Sequence, residues 1–210
     1  TESCGIKKEM IMTTQEIKNY NDNLIKRHSY KILKIENPKP IKRPNISLPI
    51  DPYLLGVWLG DHKITQANIE VFNEIKRRGY EIGNDVSDLN LLKNKHIPII
   101  YLLSSYEQRL DLLRGLMDSD GYYNKTRKRF SITTTREFMV DYYLQLISSL
   151  GLKPTVIKYI KKFNGEKIKF FNVEFNTSDF NPFLARNQDI TVVKIKNKKE
   201  PLWVFKKFKF

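Results

Sequence analysis

Two glycine-bearing apolar segments constrain this chain more than any other feature: Leu54-Leu55-Gly56-Val57-Trp58-Leu59-Gly60-Asp61 and Leu113-Arg114-Gly115-Leu116-Met117-Asp118-Ser119-Asp120-Gly121. Each has glycine at its third position and an acid, Asp61 or Asp120, at or next to its end. Glycine inside a helix costs roughly 1 kcal/mol relative to alanine, so two at matching places need a reason. Without side chains at Gly56 and Gly115, two such helices can pack until their backbones nearly touch. Asp61 and Asp120 then end the helices side by side. Two carboxylates on a pseudo-two-fold axis suit a divalent metal, and a metal on a basic surface points to phosphodiester hydrolysis.

The surface is basic. The 210 residues carry a net charge of +14 and a pI near 9.7, an excess that attracts nucleic acid or an anionic membrane. No apolar run approaches a bilayer span and no signal-peptide pattern opens the chain, so nucleic acid is the expected partner and a membrane is not. The single Cys4 excludes an internal disulfide and a cysteine zinc site, and suits a reducing, intracellular setting.

The two segments resemble the paired dodecapeptide motifs of LAGLIDADG (DOD-type) homing endonucleases, and Leu113 to Gly121 follows that signature almost letter for letter. Leu48-Pro49-Ile50-Asp51-Pro52-Tyr53, Asn94-Lys95-His96-Ile97-Pro98, Glu107-Gln108-Arg109-Leu110 and Ser149-Leu150-Gly151-Leu152 resemble the endonuclease domains carried inside inteins. The resemblance runs from about Ile46 to about Gln188. It implies an α+β fold of two related halves, with the motif helices at the centre and two curved antiparallel sheets forming a DNA-binding saddle. It also implies a monomer that cuts both strands of duplex DNA with Mg²⁺, possessed by an intein or intron and part of a larger precursor.

Four segments follow from this reading. Residues 1–44 read as a linker or junction to an intein splicing domain, with Thr13-Thr14-Gln15-Glu16 as a hydroxyl-capped helix start and the boundary near Pro44. Residues 45–105 form the first half and 106–189 the second. Residues 190–210 are a basic strand segment resembling the start of a returning splicing domain. Helices are expected at about 53–61, 66–78, 106–118 and 136–150, the second and fourth stopped by Gly79 and Gly151. Strands are expected at about 122–134, 155–159 and 167–175, with Asn164-Gly165 as a hairpin turn. The stretch between Gly79 and Lys95 is short for a strand pair, so the first half of the saddle is expected to be reduced.

By motif matching, Asp61 and Asp120 are the metal-binding, catalytic acids and Lys95 is the basic residue of one site. Asp118 is expected to face solvent or support the metal from behind. Family motifs usually end in glycine, expected to leave the helix in a left-handed conformation; His62 replaces it in the first motif and is expected to distort that site. The companion lysine of the second half falls where the chain has only Arg186. Lys125, Arg127, Lys128 and Arg129 form a basic hairpin expected to contact DNA, with Lys158, Lys161, Lys162, Lys167 and Lys169 on one face of the later hairpin. Thr134 and Arg136 match polar positions near the second site. The alternative is a catalytically eroded LAGLIDADG protein that binds DNA or RNA, in the manner of a maturase or a remnant; His62 and the missing second lysine favour it, both acids the enzyme.

Overall fold

The computed structural model describes residues 12–26, 38–60, 69–80 and 95–186. The chain divides into two units, residues 1–36 with 198–210, and Asn37–Asn197. In the first, helix α1 (Thr14–Lys26) opens on the expected cap: Thr13 Oγ1 accepts from the Glu16 amide at 3.3 Å, and the Glu16 carboxylate accepts from the Thr13 amide at 2.6 Å. Among the described residues no helix is long and apolar enough to cross a membrane.

At the centre of the second unit, α2 (Pro52–Gly60) crosses α5 (Tyr106–Asp120). A Cβ on Gly56 would fall on the Leu112 carbonyl oxygen, 2.8 Å from the Leu116 nitrogen and 3.0 Å from the Gly115 Cα. A Cβ on Gly115 would meet the Tyr53 carbonyl oxygen, the Val57 nitrogen at 2.8 Å and the Gly56 Cα at 3.0 Å. The contact is thus reciprocal: from either side, each glycine faces the same backbone atoms of the other helix. Both helices are capped at their starts, α2 by Asp51, whose carboxylate accepts from the Tyr53 and Leu54 amides, and α5 by a Ser105–Gln108 capping box. Gln108 also pairs with both backbone groups of Ile46.

Helix α3 (Ile69–Arg77) lies in the first half, with a short α4 (Ile99–Leu102) before α5. Arg78, just past α3, binds carboxylates from three places: Glu74 at 2.8 Å, Asp51 and Asp111 each at 3.1 Å. Its guanidinium also lies 4.6 Å from the centre of the Tyr53 ring. We expect Arg78→Ala to cost about 2 kcal/mol in urea denaturation and Arg78→Lys to recover little, since an ammonium lacks the planar fork that reaches three acids.

After α5 the chain forms β1 (Gly121–Asn124), β2 (Arg129–Thr134), α6 (Glu137–Ser149), β3 (Thr155–Phe163) and β4 (Glu166–Phe175), one antiparallel sheet in the order β1-β2-β4-β3. Phe130, Ile132, Phe171, Val173 and Phe175 bury one face against the helices. Asn164 (φ 49°) and Gly165 (φ 86°) turn β3 into β4, two left-handed residues as a tight hairpin demands. Helices α3 and α6 stop at Gly79 and Gly151, where the following amides reach back to Ile75 and Ile147. The expected second sheet falls largely on residues 81–94, outside the described residues.

Arg109 is fully buried. Its guanidinium donates to the carbonyls of Ser104, Ser105, Ser149 and Ile41, joining the strap at 38–46 to the end of α6. Burial lowers its pKa, but four carbonyls, one at a helix C-terminus, satisfy the cation.

Candidate active site at the paired helix ends

The close glycine contact brings α2 and α5 to a common end. A Cβ on Gly60 would press on the Ser119 side chain and lie 3.3 Å from the Asp120 Cβ. Asp61 and His62 follow immediately and lie outside the described residues. Asp120, the last residue of α5, is exposed. It borders a recess of about 240 Å³ with Leu59, Gly60, Thr133, Thr134, Thr135, Arg136, Met139, Tyr143 and Phe170. Thr134 and Arg136 thus line the same recess as Asp120, and the Arg136 amide donates to Thr134 Oγ1 at 3.1 Å, shaping the bend between β2 and α6.

Lys95 is buried against the end of α2. Its Nζ donates to the carbonyls of Trp58 (2.7 Å) and Leu59 (3.2 Å) and lies 4.7 Å from the Trp58 ring centre. An ammonium there answers the negative end of the α2 dipole. Arg186 lies elsewhere: its guanidinium donates to the Gly121 carbonyl at 3.2 Å, just past Asp120, and it does not border the recess.

Two expectations about the end of α5 are corrected. Asp118 does not face solvent. It is fully buried, accepting from the Tyr53 hydroxyl at 2.9 Å and from the Leu184, Ala185 and Arg186 amides at 2.8–3.2 Å. Residues two apart on a helix point about 200° apart, so with Asp120 outward Asp118 must turn inward. Burial raises the Asp118 pKa, and the hydrogen bonds only partly oppose this. Gly121 is the second. It leaves the helix in an extended conformation (φ −73°, ψ 151°), not a left-handed one; glycine is needed because a Cβ would lie 2.6 Å from the Met117 Cα.

The cations read as DNA-binding divide by position. Lys125, Arg127 and Lys128 occupy the exposed β1–β2 turn, with Lys128 left-handed (φ 52°), and Arg129 opens β2. The five lysines of the second hairpin do not share a face. Register puts Lys158, Lys162, Lys167 and Lys169 on the side of the helices and Lys161 on the opposite side with Arg129. Lys158 pairs with Glu137 at 3.1 Å, with both side chains about two-thirds exposed.

Tyr143 and Phe170 were not singled out by sequence. Tyr143 is buried beside the recess, and burial first, then the Asp120 charge, push its hydroxyl above its ordinary range. Its signal was the four-residue spacing from Met139 on one face of α6, which reads equally well as core.

Asp120 is thus an exposed acid at the shared end of two glycine-crossed helices, beside a recess lined also by β2 and α6. Residues 107–200 match a LAGLIDADG-like domain. The match takes in nearly all of α5, the sheet, α6 and the loop through Arg186; α2 precedes it. The chain is also similar to the replicative DNA helicase DnaB of Mycobacterium intracellulare, 32% identical over 157 residues, or 68% of this chain. It spans about a quarter (26%) of that protein's length.

Proposed function

We propose that the chain is a site-specific DNA endonuclease of the homing type, hydrolysing both strands of duplex DNA with Mg²⁺ held by Asp120 and Asp61. The observation that carries this reading is the exposed Asp120 carboxylate over a polar recess at the shared end of α2 and α5. Magnesium is bound by one or two carboxylates together with substrate phosphates and water, so a single exposed acid per site with room around it fits. Such an ion supplies Lewis acidity at the phosphate and a more acidic bound water. Arg136 and Thr134, which line the same recess, would bind the scissile phosphate, and Lys95 holds positive charge at the end of α2. Arg186 fastens the exit of α5 rather than replacing a lysine in the recess.

The alignment with a quarter of a replicative helicase supports an intein context. This chain has no G-x-x-x-x-G-K-Ser/Thr loop, so the aligned quarter does not carry that nucleotide-binding element of a helicase.

Asp120→Asn is expected to lower Mg²⁺-dependent cleavage by on the order of 10²-fold or more while duplex affinity changes little, because the shape is kept and the ligand charge is lost. Plasmid cleavage measured beside a binding titration checks it. A variant that cuts at the parental rate removes Asp120 from the chemistry, and a parent that binds but never cuts marks an eroded binding protein.

A further inference from the structure

The face of the sheet turned away from the helices is graded along its strands. Register sets its rows: Asn124 and Arg129; Tyr122, Ser131, Glu174 and Thr155; Thr133, Asn172 and Ile157; then Phe170 and Tyr159, with Lys161 beyond. The middle is tied laterally, Thr133 Oγ1 donating to Asn172 at 3.0 Å and Asn172 to Glu174 at 3.1 Å. Arg129 is steadied by Thr155 Oγ1 at 3.3 Å. At the other end Tyr159 and Phe170 lie parallel, 5.5 Å between centroids and 7° between planes. The Lys161 Nζ sits 5.4 and 5.7 Å from the two rings. Tyr122 (60%) and Ile157 (40%) are exposed large side chains of this face.

We propose that this face reads duplex DNA of a particular polarity, thymine beside the recess and guanine about six base pairs outward. This deepens the endonuclease reading and rests on it. Phe170 borders both the face and the Asp120 recess, so the aromatic end lies at the cut. In the major groove only thymine offers a methyl group to apolar side chains, and guanine offers the paired acceptors that an arginine fork fits. Arg129 and Phe170 stand six residues apart along the β4 register, about 20 Å at 3.4 Å per residue, which matches about six base-pair steps. An apolar face awaiting a protein would not be bordered by the basic turn Lys125–Lys128 and Lys161; a polyanion suits both features.

The test uses the full chain, a chelator to prevent cutting, and a randomised duplex library. Retained duplexes are expected to carry thymine and guanine at that spacing. Deoxyuridine in place of the thymidine should weaken binding about threefold, the worth of a methyl group, and a Phe170→Ser, Tyr159→Ser variant should bind both forms alike. Replacing the guanine with 7-deazaguanine should weaken parental binding about tenfold and leave Arg129→Gln unaffected. Tight duplex binding indifferent to both replacements overturns the base assignment and leaves the endonuclease reading standing. No retained duplex at all overturns both.

Discussion

Gly56→Ala should be among the most destabilising single-methyl additions in this protein, costing at least about 3 kcal/mol in urea denaturation. The added carbon would fall on the Leu112 carbonyl, and backbone held in a helix cannot rotate away as a side chain can. Typical domains have only about 5–15 kcal/mol in total, so a large share of stability is at risk. Gly115→Ala should cost a similar amount, because its contacts mirror those of Gly56. The double variant should cost less than the two together, since the first methyl already separates the helices. Gly79→Ala is the control: its φ of 85° brings strain, but nothing lies within 4 Å, so about 1 kcal/mol is expected. A Gly56→Ala protein no weaker than that control would show that the helices do not meet at their backbones. Cleavage should fall further than stability does, because parting the helices also parts Asp120 from the end of α2.

Removing the Asp118 carboxylate should have an effect of the same order. Asp118→Ala strands the Tyr53 hydroxyl and three loop amides without an acceptor, at an expected cost of about 3–5 kcal/mol. Asp118→Asn keeps one acceptor but turns an NH₂ toward amide donors, and about 2 kcal/mol is expected. Hydrogen exchange separates this tether from general loss of structure: the Leu184, Ala185 and Arg186 amides should lose protection in Asp118→Asn while those of β2 and β4 keep it. Its pH signature is distinctive. Burial raises the folded pKa above the ordinary 3.8, so the folded protein binds the proton more tightly than the unfolded chain does. From about pH 4 up to the folded value this group makes stability fall as pH rises; above that window its contribution is constant. Glu74, whose pKa Arg77 lowers first, acts in the opposite direction below its ordinary value. Asp118→Asn should remove the first trend and leave the second, and unaltered curves would mean that Asp118 is not buried as a carboxylate.

Much of the architecture is legible in the residues because its causes are local or periodic. Gly56 and Gly115 announce a helix crossing that no larger residue permits. Thr13 with Glu16 marks a helix start, Gly79 and Gly151 mark helix ends, and Asn164-Gly165 marks a hairpin, each through a backbone requirement confined to a few neighbours. Asp120 was legible too, as an acid where a buried helix ends. The direction of Asp118 was implicit in the helix rotation, but its partners were not: the amides of 184–186 lie more than sixty residues along the chain.

Only tertiary structure decides such pairings, because a buried charge is satisfied by whatever backbone the packed fold brings to it. Arg109 shows the same, a cation held by carbonyls from the strap, the α5 start and the end of α6. The lysines of the second hairpin show it for surfaces, since strand register distributes them to two faces that composition cannot distinguish. Short-range backbone chemistry was thus determined by the sequence alone. The choice of distant partners, and with it the setting of each charged group, was made when the helices and sheet packed together.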